Sequence, residues 1–134
     1  MSEHKAVTTL NETNFDELRQ TLMESGAPDE AELERTMAWI TAVRDGLVSE
    51  LSTIADEDDL ESTLAINYIE LKSRWIAMNT QLNYQMFKHG TPSTEVMQRA
   101  FSTTFLLVQI EKVLGPEDIE KITDFLSEPI SRAA

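Results

Sequence analysis

Residues 60–88 have the sequence LESTLAINYIELKSRWIAMNTQLNYQMFK. Apolar side chains recur in this segment at steps of three and four residues, a spacing that places them on one face of an α-helix. Because the pattern continues through the whole segment, we predict a single helix that is roughly 40 Å long. The residues of its main apolar stripe are Leu64, Tyr68, Leu71, Trp75, Met78, Leu82 and Met86.

A second apolar stripe runs along the same predicted helix and carries Ile66, Ile69, Ile76 and Phe87. Apolar residues on two faces are typical of a helix in the middle of a bundle, or of one that also meets a partner. The spacing is compatible with both arrangements.

Helical patterns also occur on either side of this segment. Asn14 is placed to cap a short helix, and a heptad-like series from Leu33 to Ile54 predicts a long one. Pro92 and Gly115 bracket a further long apolar arc, which a short last helix follows. We therefore predict an all-α fold, an up-down helical bundle of three long helices plus two short flanking helices.

One basic residue interrupts the heptad-like series from Leu33 to Ile54. Arg44 occupies a position where the spacing calls for an apolar side chain. Either its long stem lies along the apolar surface and its guanidinium reaches water, or it forms a buried or interfacial ion pair, with Glu70 as a candidate partner.

The chain of 134 residues is long enough for one domain, and 41% of its residues are hydrophobic. We predict a flexible polar leader over residues 1–12, a single helical-bundle domain over 13–128 and a frayed tail over 129–134. The run of acidic residues at 56–59 is predicted to be a loop whose last member, Asp59, caps the next helix.

Charge is distributed unevenly along the chain. There are 24 acidic and 11 basic residues, and the net charge is -13. Residues 1–62 hold 16 acidic and 4 basic side chains, whereas residues 63–134 hold 8 and 7. Such a chain repels nucleic acid and anionic membranes, and its natural electrostatic partners are basic proteins.

Several classes of site are disfavoured by the residue types present. The chain has no cysteine, and its two histidines, His4 and His89, lack the Glu-x-x-His spacing of di-iron bundles. The sequence has no glycine-rich phosphate loop and no paired nucleophile and base. We therefore expect a protein that is not an enzyme and needs no metal or other cofactor.

Residues 1–10 contain no apolar segment, so we predict no signal peptide. No long apolar run occurs elsewhere, so we predict no membrane span. A cytoplasmic location is the corresponding expectation.

The remaining features point to protein binding. We predict a non-catalytic helical interaction protein, of the adaptor, assembly chaperone, immunity or small regulatory type, with a homodimer as one form that binding could take. The alternative is an acidic inhibitor that mimics nucleic acid and occupies the site of a basic DNA- or RNA-binding protein. The candidate apolar contacts are Ile69, Ile76, Tyr84, Phe87 and Trp39, and the candidate acidic contacts are Glu30, Glu34, Asp56, Glu57, Asp58 and Asp59.

Overall fold

The computed structural model describes residues 4–24 and 29–127, and helices are the only regular elements within them. The all-α prediction is confirmed. Three helices are long, as expected, and the short ones number three within these ranges. The helices are α1 (Lys5–Asn11), α2 (Phe15–Glu24), α3 (Glu30–Ser52), α4 (Glu57–His89), α5 (Thr94–Val113) and α6 (Pro116–Ser127).

Helix α1 occupies most of the segment that polar composition predicts to be a flexible leader. The His4 side chain caps it, because Nδ1 accepts a hydrogen bond of 3.0 Å from the Ala6 N–H. Ala6, Val7 and Leu10 are buried against the other helices. The leader prediction is therefore wrong for residues 5–11, since three apolar side chains are enough to dock one short helix on a core. The predicted tail at 129–134 lies outside the described residues.

The ends of α4 and α5 follow from local capping chemistry. The Asp56 carboxylate accepts a hydrogen bond from the Asp59 N–H at 3.0 Å, so the cap lies three residues before the predicted one and residues 57–59 are helical, not a loop. Gly90 ends α4 with φ of 75°, a left-handed conformation that glycine adopts without steric cost. Ser93 then caps α5, because its hydroxyl accepts a hydrogen bond from the Val96 N–H.

Helix α5 lies at the centre of the bundle, since it contacts α1, α2, α3 and α4. Ser102 and Thr103 are fully buried there, and each hydroxyl donates to the backbone carbonyl four residues earlier at 2.8 Å. Small side chains whose hydroxyls donate to carbonyls of their own helix allow neighbouring helices to approach on several sides. The two apolar stripes of the 60–88 helix are compatible with the middle of a bundle or with contact with a partner, and the structure gives the central position to α5.

Helices α4 and α5 form an antiparallel pair. Near one end the Tyr68 hydroxyl donates to Glu111 Oε2 at 2.7 Å. Near the other, the Ser93 N–H donates to Gln85 Oε1 at 2.7 Å. Burial and the Glu111 carboxylate raise the pKa of Tyr68 far above its ordinary value, so this hydroxyl keeps its proton.

Arg44 of α3 holds the first two helices against the bundle. Its guanidinium donates to the Leu10 carbonyl at 3.3 Å, pairs with Asp45 at 2.7 Å and lies 4.8 Å from the centre of the Phe15 ring. The cation thus binds a carbonyl at the end of α1, which also accepts from the N–H and hydroxyl of Thr13, and an aromatic ring at the start of α2. The expected candidate partner, Glu70, is not among these contacts.

Candidate functional site

The side of α4 that faces away from the core carries most of the predicted apolar contacts. At 100° per residue, the buried Leu64, Tyr68 and Leu71 define the inner side of the helix. We call the opposite side the outer face. Its large apolar residues are Ile66, Ile69, Ile76, Tyr84 and Phe87.

These side chains are exposed to very different degrees. Phe87 is 90% exposed, Tyr84 59% and Ile76 40%, whereas Ile69 is half-buried against the core. Ile66, which the sequence placed on the second stripe without singling it out as a contact, is 55% exposed. Within the described chain, the outer face therefore has no covering helix along most of its length.

Side chains outside the outer face also lack burial. From residue 72 to residue 97, the second half of α4 and the turn into α5, no side chain in this fully described stretch is buried. Trp75, Met78 and Leu82 face the core side and remain half-exposed. This part of the molecule contributes little to the core and a large share of the exposed apolar side chains.

Trp39 belongs to a different part of the surface. It lies on α3, is half-buried, and has the Arg99 guanidinium of α5 5.2 Å from its ring centre. Arg99 also pairs with Glu95 at 3.0 Å. Because Trp39 packs against α5 and the outer face of α4 points away from α5, the structure does not bring Trp39 together with the other predicted apolar contacts.

A second exposed stripe, on α5, was not selected from the sequence as a binding surface. Met97, Phe101 and Val108 are each just over 40% exposed and lie on one side of that helix. A cleft of about 210 Å³ opens beside Met97 and Phe101, and Leu22 of α2 lines its other wall. The spacing of these residues was visible in the sequence, but they were indistinguishable there from the core arc of the same helix.

The predicted acidic contacts form two groups. Glu30 and Glu34 lie at the start of α3, and the run from Asp56 to Asp59 lies beyond its other end. Since α3 has 23 residues, the groups are separated by about 35 Å. Glu34 pairs with Arg19, and that hydrogen bond lowers the pKa of the Glu34 carboxyl. All six acidic residues are exposed.

One cluster brings together the residue types that bind metals. The ligand atoms of His4, Glu57 and Glu61 lie within 4.8 Å of one another. However, His4 Nδ1 accepts the Ala6 N–H, so the neutral ring carries its proton on Nε2, the atom that faces Glu57 at 3.8 Å. A metal on Nε2 would require that proton to move to Nδ1 and the cap of α1 to break, which disfavours a metal site.

Comparison of the chain with family models, curated proteins and solved structures finds no match. Among the helices of the described ranges, none combines the length and the apolar character that crossing a membrane requires. The evidence for function therefore comes from the exposed surfaces of this chain itself.

Proposed function

We propose that the chain is a non-catalytic interaction protein that binds another protein through the outer face of α4. The observation that carries this proposal is the exposure of Ile66, Ile76, Tyr84 and Phe87 on the side of α4 opposite the core. Soluble monomers rarely expose contiguous apolar patches larger than a few hundred Å².

The composition of the outer face fits protein recognition. An aromatic side chain buries about 150–250 Å² when it is covered, and aromatic residues are enriched among those that dominate interface energies. Phe87 and Tyr84 lie one helical turn apart near the end of α4. They provide two aromatic anchors beside the smaller Ile76.

The acidic surface would act at longer range. With a net charge of -13, the chain attracts basic proteins over distances of about 10 Å at moderate salt. Such attraction mainly raises the association rate, whereas apolar contacts slow dissociation. The 35 Å separation between the two acidic groups gives less support to the alternative, a nucleic-acid mimic, which needs carboxylates in a regular row.

The test is affinity capture from an extract of the native host, with the full chain immobilised. We expect a partner to bind the unmodified chain. The amount of partner captured should fall at least about tenfold when Ile76→Ser and Phe87→Ser are combined. Met23→Ser is the matched control, because Met23 is 57% exposed but lies on α2. Equal capture by the unmodified chain and the double variant would contradict the proposal.

Competition separates the two candidate functions. A partner held by apolar contacts should stay bound when DNA is added and when salt is raised to about 0.5 M. A partner of a nucleic-acid mimic should be released by both treatments.

A further inference from the structure

The cleft between α2 and α5 is small and is lined mainly by apolar groups. Thr21 and Leu22 form its α2 wall, and Met97 and Phe101 lie on its α5 wall. The volume of about 210 Å³ is smaller than that of pockets for drug-sized molecules, and it somewhat exceeds that of an apolar cavity that holds benzene. A group the size of one aromatic ring therefore fits the cleft.

One buried polar side chain, that of Gln98, also lines this cleft. It is only 4% exposed. Its Oε1 accepts a hydrogen bond of 3.0 Å from the Thr36 hydroxyl, whereas its Nε2 is buried and has no hydrogen-bond partner among the described residues. Because buried amide donors are nearly always paired, an unpaired one indicates a position at which an acceptor from outside the chain is favourable.

The hydrogen bond with Thr36 indicates the direction in which the unpaired N–H points. Thr36 belongs to α3 and is not among the residues that line the cleft. The oxygen and the nitrogen of a planar amide point to different sides, so an Oε1 that faces Thr36 leaves Nε2 on the side of Gln98 away from that hydroxyl. The Thr21 hydroxyl of the α2 wall donates to the Glu17 carbonyl at 2.9 Å. Gln98 therefore provides the unpaired donor of the described lining.

We infer that the cleft binds a small uncharged molecule that has one aromatic ring or short branched chain and a carbonyl oxygen. The apolar part lies against the two walls, and the carbonyl oxygen accepts a hydrogen bond from Gln98 Nε2. The inference does not depend on the proposed function, because the outer face of α4 points away from α5 and shares no residue with the cleft.

The charges beside the cleft favour a neutral ligand over an ion. Arg99, the residue after Gln98, already pairs with Glu95 at 3.0 Å and lies over the Trp39 ring. A carboxylate in the cleft would therefore lose its water in exchange for one hydrogen bond from a neutral donor, in a chain with a net charge of -13. An ammonium group offers no acceptor to Nε2. A ketone, an ester or an amide avoids both costs.

Binding requires the mouth of the cleft to adjust. Gln98 Nε2 has almost no contact with solvent, and Met97 and Phe101 at the mouth are each 43% exposed. A methionine side chain has three rotatable bonds and adapts readily to its surroundings. Rotation of Met97 toward solvent widens the cleft next to Gln98, and a bound ligand stabilises that rotamer.

The first experiment titrates the full chain with acetophenone, an aromatic ketone with one ring. Nuclear magnetic resonance follows the Gln98 side-chain amide and the methionine methyl groups. We expect saturable shifts at Gln98 and Met97 with a dissociation constant of about 1 mM or tighter. Met86 on α4 is the internal control, since it is 50% exposed and lies outside the cleft. An absence of saturable shifts at Gln98 and Met97, or an equal shift at Met86, would overturn the inference.

The second experiment tests the hydrogen bond with α-methylstyrene, which has a methylene group in place of the carbonyl oxygen of acetophenone. The quantity compared is the ratio of the two dissociation constants, because the two compounds differ in their own hydration. Gln98→Met removes the N–H donor and should shift this ratio at least about fivefold against acetophenone. Gln109→Met, the same substitution on the same helix outside the cleft, should leave the ratio unchanged.

The outcome of the second experiment is decided by that ratio. An equal ratio for the unmodified chain and Gln98→Met would refute the assigned hydrogen bond. Circular dichroism checks that both variants fold, and the first experiment needs no variant. Ile76→Ser combined with Phe87→Ser should leave acetophenone binding unchanged, so the cleft and the outer face of α4 are tested separately.

Discussion

The first half of α4, residues 57–71, contributes five buried side chains to the core, whereas the second half, residues 72–89, contributes none. Both halves belong to one continuous helix with apolar side chains at helical spacing. Both halves lie along α5, and they differ in what else surrounds them, because α6 and the turn after α3 flank the first half as well. Helical periodicity therefore shows that a surface is apolar without showing whether the same chain covers it.

The largest expected difference between the halves concerns two leucines on the same side of α4. Leu64 is fully buried and Leu82 is half-buried. We expect Leu64→Ala to lower the free energy of unfolding by about 3 kcal/mol and Leu82→Ala by about 1 kcal/mol, since the cavity penalty depends on how completely the site is enclosed. Urea titration at low protein concentration measures both values. Equal losses would show that the second half of α4 belongs to the core.

Arginines offer a second contrast, between the body of the bundle and the second half of α4. Arg44→Ala removes the contacts with the Leu10 carbonyl and the Phe15 ring, and we expect a loss of about 1–2 kcal/mol in the free energy of unfolding. Arg74→Ala, at an exposed position, should change it by less than about 0.5 kcal/mol. Urea titration compares the two variants, and similar losses would remove the role assigned to Arg44.

Replacing glycine by alanine should have opposite effects on stability at two positions. Gly90→Ala forces a side chain into the left-handed conformation at the end of α4, and we expect it to destabilise the protein by about 1 kcal/mol. Gly46→Ala lies inside α3 with open space around its added methyl group, so it should stabilise by about 0.5–1 kcal/mol. Thermal unfolding measures both shifts. A stabilising Gly90→Ala would contradict the assigned cap.

The last expected effect is a dependence of stability on alkaline pH. Folding raises the pKa of Tyr68 above its unfolded value of about 10, so its contribution to stability is complete below that pH and is lost as pH rises further. Tyr68→Phe should therefore make the free energy of unfolding less sensitive to pH above about 10. Urea titrations at about pH 8 and at about pH 11 test this, and an identical change in the free energy of unfolding for the unmodified chain and the variant would contradict it.

The sequence was sufficient to predict the long helices and the Asn14 cap of the short helix α2, because these depend on local spacing and on side chains at the helix end. It was insufficient for α1, which has only seven residues and is helical because the other helices bury Ala6, Val7 and Leu10. Short helices gain little from intrinsic propensity, so tertiary contacts determine them.

The central position of α5 was also beyond sequence reasoning. Gln98, Ser102 and Thr103 are polar residues, yet all three are buried. Hydropathy assigns such residues to the surface. Hydrogen bonds, including one of 3.0 Å that the Thr36 hydroxyl donates to Gln98 Oε1, offset part of the cost of their burial, whereas Gln98 Nε2 has no partner among the described residues.

The candidate site was predictable in part. The outer-face residues could be recognised from their spacing, because position along a helix fixes which side a residue occupies. The separation of the acidic groups and of Trp39 from that face depends on how the helices pack, which spacing does not encode.

The stretch from residue 72 to residue 97 has a further consequence for the motions of the folded protein. Segments with few buried contacts open locally at a lower free energy than the whole molecule. Amide hydrogens in the second half of α4 should therefore exchange with solvent through local opening, while those near Leu64 exchange only when the entire chain unfolds. A ligand that covers the outer face would close that local route, so slowed amide exchange in this one segment would report occupancy, whatever the occupant is.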